Sequence, residues 1–149
     1  MGRRRTGFRR ILVPLLEGDS AVRAIAVACL LTAERGAALS AVAVVEVPHE
    51  LPLDADMGED EERLSEFLRL ARAEADRYGV SIETRLLRGR QAGEAIVQEA
   101  RRGQVDLIVL QASRQRRASL HGPLFSQAAA SVLEQAPCRV LIATPEAPR

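Results

Sequence analysis

Apolar residues follow two rhythms along this chain, and the rhythms alternate. Arg10 to Leu16 (RILVPLL) is a continuous apolar run behind a charged segment, the pattern of a strand buried on both faces. From Asp19 to Arg35, apolar positions recur at helical spacing through Val22, Ile25, Ala26, Cys29, Leu30 and Ala33. Asp19 or Ser20 is placed to cap that helix and Gly36 to end it. Leu39 to Pro48 is a second continuous apolar strand, and Pro48 to Gly58, with Pro52 inside it, predicts a loop. Glu59 to Tyr78 returns to helical period through Leu64, Phe67, Leu68, Ala71 and Ala75, stopping at Gly79. Val80 to Leu87 predicts a third strand, less deeply buried because Ile82 alternates with charged Glu83 and Arg85. Gln91 to Arg102 is a third helix carrying Ile96, Val97 and Ala100, and Val105 to Leu110 is a strand of fully buried type. A polar, Arg-rich loop runs from Ala112 to Pro123. Phe125 to Ala136 forms a fourth helix through Phe125, Ala129, Val132 and Leu133, and Cys138 to Ala143 is a last strand.

Five strands alternating with four helices predict a parallel α/β sheet covered on both faces and wound right-handedly. In such sheets the ligand crevice lies at the carboxyl ends of the strands, where strand order reverses. Residues Pro14 to Gly18, the loop from Val47, and Gln111 to Ser126 would feed it. No internal repeat or linker divides the chain. Residues 1–8 are expected as a disordered basic tail, 9–145 as the domain and 146–149 as a second short tail.

Composition narrows the chemistry. The 149 residues suit one domain, and 47% hydrophobic with 28% charged residues excludes wholesale disorder. A net charge of +1 gives no overall field toward nucleic acid or membrane. All 21 basic residues are Arg, which excludes phosphate-binding loops that need their Lys, Schiff-base enzymes and phosphoryl-accepting receiver domains. With no Trp, one Tyr and three Phe, stacking on bases has little to work with, and no specific nucleic-acid binding is expected. Cys29 and Cys138 lie far apart inside apolar runs and form no CxxC pair, so two buried thiols and no metal site are expected. There is no apolar run of signal-peptide or membrane-spanning length. A cytoplasmic protein without stable membrane insertion follows.

The order of segments resembles the universal stress protein family over residues 9 to 145. Four stretches carry the likeness: FRRILVPL at the first strand, VDLIVL at the fourth, the loop ASRQRRASLHGPLFS, and SVLEQAPCRVLIA at the end. Ala136-Pro137-Cys138 before an apolar strand is the most specific of these, and GRQAGEAIVQEA also looks like a family third helix. The stretch EVPHELPLDA resembles versions associated with membrane transporters. The resemblance implies a doubly wound, Rossmann-like α/β fold of the adenine nucleotide alpha hydrolase-like kind, with strand order 3-2-1-4-5. It also implies a homodimer paired through the last strand, Arg139, Val140, Leu141, Ile142 and Ala143. CRVLIA is apolar and ends the sheet, so its free edge calls for such cover.

Some members of that family bind ATP or AMP through Gly, two residues, Gly, nine residues, then Gly-Ser/Thr. The glycines let backbone N–H groups approach phosphate, and the following helix N-terminus adds positive potential. Laid onto this chain, the glycines fall on Ala112, Gln115 and Phe125, and the hydroxyl on Ser126, so only the Ser survives. The acidic residue after the first strand falls on Leu16, with Glu17 and Asp19 close by. The resemblance thus puts any nucleotide contacts at Leu15, Leu16, Val45, Ala112, Ser113, Arg114, Arg116, Ser126 and Gln127. Hydrogen bonds to a charged ligand are worth about 1.5–3 kcal/mol each, so losing two weakens binding roughly 10²- to 10⁴-fold. Arg114, Arg116 and Arg117 could hold phosphate instead by charge and bidentate geometry.

Other features read plainly. Arg116-Arg117-Ala118-Ser119 resembles a basophilic kinase target, and a mobile loop is the simpler reading. His49 and His121 belong to different loops with no nucleophile arranged beside them. Asp54 to Glu66 carries seven acids and one Arg, suiting a helix N-terminus; its other reading is a dock for a basic partner. The first ten residues hold five Arg, enough for weak, salt-sensitive contact with anionic surfaces only. The chain is therefore expected to be a universal stress protein-like regulatory or binding module, homodimeric, without catalysis and without a required cofactor. Two alternatives stand beside it: an ATP- or AMP-binding switch or slow ATPase using Ser113, Arg114 and Ser126, and an interaction domain serving a transporter.

Overall fold

A computed structural model describes residues 7–16, 22–32, 36–112 and 126–144. Its elements are β1 (Arg10–Pro14), α1 (Val22–Thr32), β2 (Ala38–Glu46), α2 (Gly58–Arg77), β3 (Ile82–Gly89), α3 (Ala92–Arg102), β4 (Leu107–Gln111), α4 (Gln127–Gln135) and β5 (Arg139–Ala143). The five strands form one sheet in the order β3-β2-β1-β4-β5, parallel at every pairing. This is the expected doubly wound architecture. Residues 113–125, which hold the Arg-rich loop, and the expected caps Asp19 and Ser20 lie outside the described residues.

The apolar strands have an apolar side for each face of the sheet. Ile11, Val13, Leu39, Ala41, Ala43, Val45, Leu107 and Val109 point to the face covered by α1 and α2. The alternate residues Leu12, Val42, Val44, Ile108 and Leu110 meet α3 and α4. Period-two alternation between two buried faces explains why these strands read as continuous apolar runs. β3 is the exception: none of its residues is fully buried, as the alternation of Ile82 with charged neighbours predicts.

Strand boundaries shift by a residue or two from the sequence reading, for reasons visible in the ladder. β3 reaches Gly89 instead of ending at Leu87 because Val47 N–H donates to the Gly89 carbonyl at 2.9 Å. Leu15 is no longer strand, yet its N–H still donates to the Val42 carbonyl at 2.8 Å. At the other end, the Asp106 carboxylate accepts from the N–H groups of Arg9 (2.9 Å) and Arg10 (3.0 Å), fixing where β1 enters the sheet. Gly79 ends α2 at φ +68, a left-handed turn that glycine adopts without strain.

Neither cysteine is paired; Cys29 is buried and Cys138 half-buried. Burial raises the Cys29 thiol above its ordinary value, with the Glu74 charge adding to it. Burial and then the Asp106 charge raise Cys138, against a lowering contact with the backbone at Ile108.

Candidate functional site

A crevice of about 540 Å³ opens at the carboxyl end of the sheet. Leu15 and Leu16 enter it where β1 ends, Val44 and Glu46 where β2 ends, and Arg63, Leu64 and Phe67 from α2. Gln91, Ala92 and Gly93 bring the start of α3, and Ser126, Gln127, Ala128 and Ser131 the start of α4. The position at the strand ends is the one predicted for a doubly wound sheet. The second strand contributes Val44 and Glu46, however, and the loop after Val47 is not part of the lining.

That loop is held away by two guanidinium groups. Arg90 Nη1 donates to the carbonyls of Leu51 (2.7 Å) and Val47 (3.3 Å) and also to Pro48. Arg88 Nη1 donates to Leu53 (3.0 Å) and Ala55 (2.9 Å), and its Nη2 pairs with Glu61 at the start of α2. His49, in the same loop, is exposed.

Two helix starts share the crevice. Ser126 adopts extended backbone angles and its Oγ accepts from Ala129 N–H at 3.1 Å, capping α4. The Ser126 carbonyl takes the first helical bond, from Ala130, which leaves the N–H groups of Gln127 and Ala128 without intrahelical acceptors. Those donors and the helix dipole favour an anion there. α3 begins after Gln91, which caps it without a side-chain hydrogen bond. The Glu46 carboxylate does that work instead, accepting from Ala92 N–H at 3.3 Å. The two helix starts come together because residue 93 is glycine. A Cβ at that position would lie 2.7 Å from Ser131 Cβ, 2.8 Å from Ser131 Oγ and 3.0 Å from the Ala128 carbonyl.

Of the residues singled out from sequence, Leu15, Leu16, Ser126 and Gln127 line the crevice. Val45 points instead into the core under α1 and α2, and its neighbours Val44 and Glu46 line the site in its place. Ala112 is buried, and its N–H is taken by the Ala143 carbonyl at 2.8 Å. Ser113, Arg114, Arg116, Gln115, Arg117, Phe125, Glu17, Asp19, Ser119 and His121 lie outside the described residues. Sequence reasoning did not single out Glu46, Arg63, Gln91, Gly93 or Ser131 for the site. Glu46 had a signal, as the one charge in the run Leu39 to Pro48. Gln111, at the end of β4, is buried, and its Oε1 has no partner among the described residues.

The two sheet edges differ. β3 carries Glu83, Arg85 and Arg88, with Arg85 bound to Glu99 at 2.7 Å. β5 carries one charge, Arg139, beside half-buried Val140 and Leu141 and exposed Ile142. Among the described residues, no strand pairs with its outer edge. No group of His, Cys, Asp and Glu among the described residues could hold a metal ion, and no described helix is long and apolar enough to cross a membrane.

A family model described as the universal stress protein family matches residues 7–144. The chain belongs to this family. No curated protein matches it, but solved universal stress protein structures do. One, from Burkholderia pseudomallei, is 26% identical with a TM-score of 0.67, over 90% of this chain and 94% of that one. Another, from Archaeoglobus fulgidus in complex with dAMP, is 20% identical with a TM-score of 0.71, over 92% and 98%. A third, from Arabidopsis thaliana with AMP bound, is 18% identical with a TM-score of 0.68, over 93% of each. At that identity the last two share the fold, while membership of the universal stress protein family rests on the family match.

Proposed function

We propose that this universal stress protein is a cytoplasmic regulatory module that works as a homodimer and binds a nucleoside monophosphate weakly, without catalysis. The observation that carries the reading is the capped start of α4, which sets the N–H groups of Gln127 and Ala128, without acceptors among the described residues, at a crevice of nucleotide size. Two solved structures of the same fold hold AMP or dAMP, which supports a mononucleotide as the ligand. Binding is weak because the phosphate-cradling glycines of binding family members fall here on Ala112, Gln115 and Phe125, and the Ala112 N–H is committed to the Ala143 carbonyl of β5. β5 carries the dimer because its outer edge is apolar and unpaired while that of β3 is charged. The likeness of residues 46–55 to transporter-associated family members would, if functional, be exercised by docking, with the partner supplying the membrane span.

Titration of the chain with the four nucleoside monophosphates, followed by NMR with and without Mg²⁺, tests the ligand. Perturbed amides at Gln127 and Ala128 below about 10 mM ligand support the reading, and none at that concentration overturns it. Light scattering tests the assembly: a mass twice 16.2 kDa at micromolar concentration is expected, and a monomer that persists would refute pairing through β5.

A further inference from the structure

Among its described lining residues the crevice has one negative charge, Glu46, where a base would lie. The carboxyl end of β2 is two strands, about 10 Å, from that of β4, so a phosphate at the start of α4 leaves the far end of the crevice to the base. The walls there are apolar and partly aromatic, Leu16, Val44, Leu64 and Phe67, and suit a flat heterocycle. Glu46, itself exposed, lines the crevice beside them. Its Oε2 is oriented by Ala92 N–H, and no described arginine forms a salt bridge with it. A carboxylate only accepts hydrogen bonds.

That chemistry discriminates between bases. Guanine offers two adjacent donors, N1–H and the 2-amino group, which match the two oxygens of a carboxylate. Adenine offers the 6-amino donor beside N1, whose lone pair would face the second oxygen. Cytosine presents the same mismatched pair. We propose that Glu46 makes this crevice select guanine over adenine, a preference that rests on the nucleotide reading above. Gln91, whose side chain makes no capping bond, and Arg63 line the same crevice and can donate to guanine O6.

The test is a swap of base preference. A glutamine at this position presents one acceptor and one donor, the pattern that adenine answers. Calorimetric titration with GMP and AMP is run on the wild-type chain and on Glu46→Gln, with thermal unfolding checked for both. The wild type should bind GMP about tenfold more tightly than AMP, and Glu46→Gln should bring AMP to equal or tighter binding than GMP. AMP bound as tightly as GMP by the wild type would overturn the selection and leave the nucleotide reading standing. So would an equal loss of both ligands in Glu46→Gln, which would make Glu46 only a brace for α3. No binding of either nucleotide by either protein would overturn both.

Discussion

Replacing Gly93 by alanine tests the contact that brings the starts of α3 and α4 into one crevice. The added methyl would sit 2.7 Å from Ser131 Cβ and 3.0 Å from the Ala128 carbonyl. A Cβ and a main-chain oxygen cannot swing aside, so the helices must separate or the backbone must shift. Overpacking of this kind costs about 1–3 kcal/mol. Alanine recovers up to about 1 kcal/mol of helix propensity, less near a helix start, so the net loss should be about 1–2 kcal/mol. For a chain of this length that corresponds to a melting temperature lower by roughly 2–8 °C. Urea denaturation and calorimetry would measure it. The companion variant Ser131→Gly removes the nearest clashing atoms at the expense of its own helix propensity. The double variant should therefore be more stable than the sum of the two single changes predicts, by at least about 0.5 kcal/mol. A Gly93→Ala protein as stable as the wild type, or strictly additive changes, would refute the close approach.

Asp106→Ala removes the acceptor for the N–H groups of Arg9 and Arg10 and should cost about 1–2 kcal/mol in urea denaturation, with Asp106→Asn recovering part of it. Arg90→Ala should speed hydrogen exchange across residues 48–57 while the melting temperature moves by less than about 4 °C, since the bonds lost at Pro48 and Leu51 are exposed and the one at Val47 is only part-buried. Both thiols are raised in the folded chain above 9.0. Below that value both states keep their protons; above it the unfolded thiols ionise first, so stability falls as pH rises past 9. The urea midpoint followed from pH 7 to 10 should show that fall, and Cys29→Ala with Cys138→Ala should reduce its slope.

The alternation of strands with helices and the depth of each strand were legible because burial on both sides leaves an unmistakable apolar run, whereas the strand order came from the likeness to the family. Ile82 beside Glu83 and Arg85 likewise marked β3 as the half-exposed strand. The crevice was legible in its position and only partly in its residues. Ser126 and Leu16 were found by likeness to a motif, and Val45 was placed in the site although alternation turns its side chain the other way. Glu46 and Gly93 escaped because their roles arise between elements: one closes the end of a helix far along the chain, the other is defined by a neighbour across a helix pair. Periodicity describes what each element does alone and carries no record of such meetings.

The way the segment between β2 and α2 is held has a consequence for how it can vary. Arg88 and Arg90 grip it through main-chain oxygens of Val47, Pro48, Leu51, Leu53 and Ala55, and every residue in a chain supplies such an oxygen. Its path is therefore largely indifferent to the side chains it displays. Leu51 and Leu53, both turned to solvent, can be exchanged for other residues without moving the backbone that carries them. The segment thus offers a place where new surface chemistry can be written onto the domain while the two arginines keep its shape.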